Sequence, residues 1–112
     1  MSNTKPKQLT EAEVKQDQGK TDMTLLPLPG LEATAKVLNF GAKKYLPWSW
    51  RDHPTPATIK RYEAAMMRHL LAHNYGEELD EDSGLSHISH IACNALIILS
   101  LQAEQAKEKK DG

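Results

Sequence analysis

The stretch that decides the fold is "SGLSHISHIACNALIILSLQA", Ser83–Ala103. Asp82 or Ser83 offers an N-cap, so a helix is predicted from there to about Ala106. From Ile91 to Leu101 it is apolar nearly all round: Leu96 and Leu99 point one way, Ile91 and Ile98 the other. A helix apolar on every side has to be covered on every side. Two partner helices cannot do that alone in a chain of 112 residues, so the pattern predicts an oligomer with this helix near its centre.

Upstream, two more helices are predicted. Leu31, Ala35, Leu38, Ala42 and Tyr45 recur on one face of a helix that starts at Leu31 and stops near Tyr45, because Pro47 follows. A loop with Trp48 and Trp50 comes next. Thr55 as N-cap and Pro56 at the first position then open a helix to about Tyr75, with Ile59, Tyr62, Met66, Leu70 and His73 as its stripe. Gly76 is placed to end it in a left-handed conformation. No strand pattern or internal repeat is present, so the fold class is all-α, with three main helices.

Residues 1–21 are polar and have little to bury, which predicts a mobile segment in isolation. A single domain over 22–106 and a charged tail over 107–112 complete the expected organisation. Net charge is −1, so no global basic field points to nucleic acid or an anionic membrane. The single cysteine, Cys93, excludes an internal disulfide and fits a reducing cytoplasm. The N-terminus lacks the apolar core of a signal peptide, and no apolar run is long enough to span a bilayer. A soluble, cytoplasmic chain is expected.

The chemistry gathers just before the deciding stretch. "GEELDED", Gly76–Asp82, packs five acids into one turn, and His87, His90 and Asn94 follow on the helix. At roughly 100° per residue these three fall within about 60° of one another, a polar line drawn through a buried helix. Buried polar groups need partners. Carboxylates with imidazole suit Mg²⁺, Mn²⁺ or another divalent ion. A solvated acidic loop beside histidines that only hydrogen-bond other helices is the plainer alternative. An EF-hand fails on spacing, since Gly84 and Ile91 would fall at ligand positions. A closed zinc site fails too, because Cys93 points about 120° away from His87. On the preceding helix Arg68 and His69 flank the apolar stripe, where an arginine either snorkels or holds an anion. Lys20, Lys43 and Lys44 lie beside glycines and aromatic rings, able to contact phosphate, while tryptophan faces can stack a base. No GxxxxGK[ST] loop is present.

Four segments carry a family resemblance: "DQGKTDMTLLP" (Asp17–Pro27), "LNFGAKKY" (Leu38–Tyr45), "RYEAAMMRHLLAH" (Arg61–His73) and "GEELDEDSGLSHISHIACNALIIL" (Gly76–Leu99). Together they resemble the phage and bacterial dATP/dGTP diphosphohydrolases, whose pattern runs DxGKxxxxLLP, FGAxKYxxxNW, RHLLAW, GExxDxESGLxHxxHAxxN. That family looks like a branch of the all-α MazG-like nucleoside triphosphate pyrophosphohydrolases, with MazZ-like members that turn dGTP into dGMP in phages carrying 2,6-diaminopurine. The chain departs from the pattern at Ser49, at Asp82 in place of Glu, and at His73 in place of Trp. The MazG motif EExxE…ExxD is absent in its literal form, with His87-x-x-His90 in place of its second half.

The resemblance implies a helical oligomer, dimer or tetramer, that hydrolyses purine nucleoside triphosphates with Mg²⁺ or Mn²⁺, dGTP or GTP to dGMP or GMP. It implies metal ligands among Glu77, Asp80, Asp82, His87 and His90, the three carboxylates being also the catalytic groups. Lys20, Lys43, Lys44 and Arg68 would contact phosphates, His69 and Asn94 would fix substrate geometry, and Trp50 would meet the base. The competing expectation is a non-catalytic oligomerisation or nucleotide-sensing module that kept the pocket.

Overall fold

In the computed structural model, which describes residues 8–111, three long helices carry the fold and a short one precedes them. They are α1 (Glu11–Asp17), α2 (Leu28–Lys44), α3 (Pro56–Asn74) and α4 (His87–Asp111). Single 3₁₀ turns lie at Met23–Leu25 and Ser49–Arg51. No strand is present among the described residues; Leu79 and Ser86 make one isolated bridge. The all-α expectation holds.

Local chemistry accounts for the boundaries. Thr55 accepts a hydrogen bond from Thr58 N–H at 3.2 Å and Pro56 opens α3, as expected. Gly76, at φ +95°, takes the chain out of α3 through a conformation that side chains disfavour. α4 begins later than expected. Neither Asp82 nor Ser83 caps it; Ser86 does, accepting from Ser89 N–H at 3.1 Å. At its other end α4 continues past Ala106 to Asp111, through the charged residues expected to form a tail.

α4 is the central element and packs against both α3 and α2. The core is Val37 from α2, Ile59 from α3, and Cys93, Ile97 and Leu101 from α4, with Leu38, Trp50, Tyr62, Leu85 and Ile98 partly buried around it. Leu101, at 0% exposure, is the most enclosed side chain. The apolar faces are rotated from the expected ones. α2 buries Thr34 and Val37 while Leu31, Ala35 and Tyr45 are exposed. α3 buries Ile59 and half-buries Tyr62, Met66 and His69, leaving Leu70 and His73 outside. Glu63 is half-buried on the same helix.

Residues 8–32 form an arm, exposed at every position. A capping box of Thr10 and Glu13 forms α1 there, where a mobile segment was expected; residues 1–7 of that segment lie outside the described residues. The radius of gyration is 19.0 Å, against about 13 Å for a compact chain of this length.

Candidate metal and nucleotide site

The acidic turn is folded onto the start of α4 by its own backbone. Asp80 N–H donates to Leu85 C=O at 2.8 Å, Gly84 N–H to Asp80 C=O at 2.8 Å, and His87 N–H to Glu78 C=O at 3.0 Å. The Asp80 carboxylate accepts from the N–H groups of Asp82 at 3.1 Å and Ser83 at 2.9 Å. Those two residues are thereby drawn into a turn around Asp80, which is why neither caps α4. The same turn holds the Asp80 carboxylate, half-buried, against the histidines.

Three imidazoles meet where α3 crosses the first turns of α4. His69 Nδ1 and His87 Nδ1 share a hydrogen bond at 2.8 Å. The His69 and His90 rings stack at 4.3 Å and 10°. His90 Nε2 pairs with Ser83 Oγ at 2.7 Å and lies 3.9 Å from Asp80 Oδ2. His87 Nε2 is buried with no hydrogen-bond partner, and Glu77 Oε1 stands 3.7 Å from it. An orphaned buried nitrogen is costly unless a bound group satisfies it.

Electrostatics keep the cluster in ligand form. Burial first, then the neighbouring imidazoles, push His69 below its ordinary value. Burial likewise depresses His90 and outweighs the opposing pull of Asp80. For Asp80, partial burial works upward, but the Ser83 hydrogen bonds and His90 prevail and its carboxyl sits below its ordinary range. A lowered imidazole and a lowered carboxyl favour the deprotonated forms that a divalent ion takes, and of the donor group these are His69 and Asp80. One donor atom each from His69, Asp80 and His87 lie within 4.8 Å of one another, an N₂O set that fits such an ion. Cys93 does not compete: burial pushes its thiol up to about 11.

Two cavities flank this cluster. A smaller one, of about 410 Å³, is lined by Arg68, His69, Glu77, Asp80, Glu81 and His87. A larger one, of about 650 Å³, opens between α2, the tryptophan loop and the α3/α4 pair, with Phe40, Tyr45, Trp48, Trp50 and Tyr62 on its walls and His90 and Asn94 at its base. Arg68, His69 and Asp80 line both. Trp48 adopts a left-handed backbone at φ 65°, a conformation costing about 1–3 kcal/mol that recurs at binding sites. The Arg51 guanidinium lies 4.4 Å from its ring.

Most of the residues singled out from sequence come together here: Glu77, Asp80, His87, Arg68 and His69 around the small cavity, and Lys44, Trp50, Asp82, His90 and Asn94 with it around the large one. Asp82 turns to Lys44, at 2.8 Å, and this bond holds Lys44 above the ordinary lysine range. Lys20 and Lys43 are exposed and line neither cavity. His69, expected to position substrate, joins the candidate ligand group itself. Glu81, Phe40 and Tyr62 line the cavities without having been singled out for the site. Ser83 had a signal: it lies seven residues before His90, two helical turns along the same stripe.

The all-α scaffold thus holds an N/O donor group between a small cavity lined by three carboxylates and one arginine and a larger aromatic one. The chain belongs to the dATP/dGTP diphosphohydrolase family: residues 10–111 match the family described as "dATP/dGTP diphosphohydrolase, N-terminal". It is 32% identical over 88 residues to a dATP/dGTP diphosphohydrolase of Salmonella phage PMBT28. That match takes in 79% of this chain and 29% of the phage protein, so the chain spans under a third of its relative's length. No solved structure matches it. No helix among the described residues is long and apolar enough to cross a membrane.

Proposed function

We propose that this chain hydrolyses purine nucleoside or deoxynucleoside triphosphates with a divalent metal, converting dGTP or GTP to dGMP or GMP with release of pyrophosphate. The observation that carries the proposal is the orphaned His87 Nε2 inside a group of three donors that borders both cavities. Family membership and the name of the phage relative support the substrate class. The catalytic unit is the domain over 22–106.

His69, Asp80 and His87 would hold Mg²⁺ or Mn²⁺, with Glu77 and His90 beside them. The ion supplies charge neutralisation on the phosphates and a more acidic water. Arg68 faces both cavities and binds phosphate oxygens. Trp50, with Trp48, stacks the base, and a cavity of about 650 Å³ has room for a purine. Water attacks the α-phosphorus, a new P–O bond forms, the α–β bridging bond breaks, and pyrophosphate leaves. Glu77 takes the water's proton. Of the three carboxylates expected to be catalytic, Asp80 is committed to two backbone N–H groups and Asp82 to Lys44, which leaves Glu77, 3.7 Å from His87 Nε2. Asn94, on the α4 turn after His90, fixes the nucleoside from the base of the large cavity.

The chain would act as a homo-oligomer, dimer or tetramer. Ile88, Ala92, Leu96 and Leu99 are exposed along α4, Ile88 at 50% and Leu99 at 65%, and such an apolar face needs cover. The phage source of the relative suits a place in phage nucleotide metabolism, with dGMP feeding a 2,6-diaminopurine pathway. The test is pyrophosphate release from dGTP in Mn²⁺, with His87→Ala as the control variant. Loss of at least about 100-fold is expected, since even residues that only orient a ligand cost 10–100-fold. Binding of Mn²⁺ and dGTP without turnover would make the chain a nucleotide-sensing module instead.

A further inference from the structure

Ser83 reaches two members of the junction at once. Its amide N–H donates to Asp80 Oδ2 at 2.9 Å, and its hydroxyl pairs with His90 Nε2 at 2.7 Å. The same hydroxyl accepts from Leu85 N–H at 3.1 Å, which fixes where the oxygen sits. Ser83 lies outside the donor group of His69, Asp80 and His87, and it lines neither cavity. Its bonds therefore act on other side chains and not on a bound molecule.

His90 is buried and stands beside the donor group without belonging to it. Its ring lies flat against His69, centroids 4.3 Å apart and planes within 10°. His69 in turn meets His87 through the bond between their Nδ1 atoms. His90 Nε2 is also 3.9 Å from Asp80 Oδ2, just beyond hydrogen-bond range. That oxygen already accepts from the N–H groups of Asp82 and Ser83. A further bond from His90 would turn the carboxylate toward His90 and away from the other two donors. The Ser83 hydroxyl engages Nε2 and prevents this.

We propose that Ser83 is a positioning residue for the metal site: its hydroxyl holds His90 as a flat plate behind His69 and keeps His90 Nε2 off Asp80. Two of the three donors, His69 and Asp80, thereby stay in place for the ion. His90 supports the ligands and is not one of them, which differs from the role that the family resemblance implies for it. Groups that orient a ligand in this way commonly set metal affinity by 10–100-fold. The role of Ser83 rests on the metal reading proposed above.

Mn²⁺ affinity of the full chain tests it, read from the electron paramagnetic resonance of free Mn²⁺ and needing no turnover. Titrations run below the melting temperature of each metal-free variant, so that a loss of binding is not a loss of fold. Ser83→Ala keeps the backbone N–H and loses the hydroxyl; it should weaken Mn²⁺ binding by about 10–100-fold. Ser83→Thr restores a hydroxyl and should bind nearly as the wild type does. His90→Phe keeps a flat ring against His69 with no nitrogen to bond Ser83 or Asp80. In that background Ser83→Ala should cost little more, because its effect runs through His90. An equal loss in both backgrounds would mean that the hydroxyl serves only the turn, through Leu85, and would overturn the proposal. Undiminished binding in Ser83→Ala would overturn it too, as would abolished binding in His90→Phe alone, which would make His90 a ligand. A wild type that binds no Mn²⁺ would overturn the metal reading itself, and the role of Ser83 toward the ion with it.

Discussion

The α3/α4 junction and the arm over 8–32 invert the usual pattern in opposite ways. At the junction polar groups are buried: His87, His90 and Asn94 lie inside, among bonds to His69, Ser83 and the acidic turn. Along the arm apolar groups are exposed, from Leu9 to Leu31. Each inversion is costly in a chain that stands alone. Buried polar groups need partners and exposed apolar ones need cover; on the function proposed above, an ion and a nucleotide would satisfy the junction, while the arm calls for cover from outside it.

The comparison breaks most visibly on stability. Leu101→Ala removes the most enclosed side chain of the core and should destabilise a single chain by about 3 kcal/mol in urea unfolding. Leu28→Ala in the arm should change the same measurement by less than about 0.5 kcal/mol and weaken self-association instead. Equal costs would mean that the arm packs on its own chain.

A smaller effect separates the regions by pH. His69 and His90 titrate below the ordinary 6.5 in the folded chain, chiefly because they are buried. Unfolding therefore takes up protons as pH falls below about 6.5, and the metal-free fold should lose stability through and below that value. Asp80, held below its ordinary 3.8, adds its own loss only at more acidic pH. Residues 8–32 contain no histidine, so self-association should not follow the first of these curves. Urea midpoints and scattering at pH 7.5 and 5.5 check this.

Much of the fold was legible because its signals are local. Thr55, Pro56 and Gly76 bound α3 by their own chemistry, and the apolar run from Ile91 to Leu101 made α4 central. α1 was missed because the segment was read by what it could bury, whereas its helix is made by a capping box that buries nothing. The α2 face was misphased: Leu31 and Tyr45 look like core residues but belong to exposed surfaces at the two ends of the helix. In the site, the acidic turn and the histidines of α4 could be read from one segment. The part played by His69 could not, because it depends on the register between two helices. The pairing of Asp82 with Lys44 joins residues 38 apart in sequence, and no local pattern carries it.

The central claim is that His69, Asp80 and His87 hold a divalent ion, and thermal unfolding of the full chain with Mn²⁺ tests it most directly. At about a hundredfold excess over the dissociation constant, the ion should add about 2.7 kcal/mol to the folded state and raise the melting temperature accordingly. Asp80→Asn and His87→Ala should each abolish most of that rise, whether or not the chain turns over nucleotide. An equal rise in wild type and both variants would place the ion elsewhere and leave His87 Nε2 without its partner.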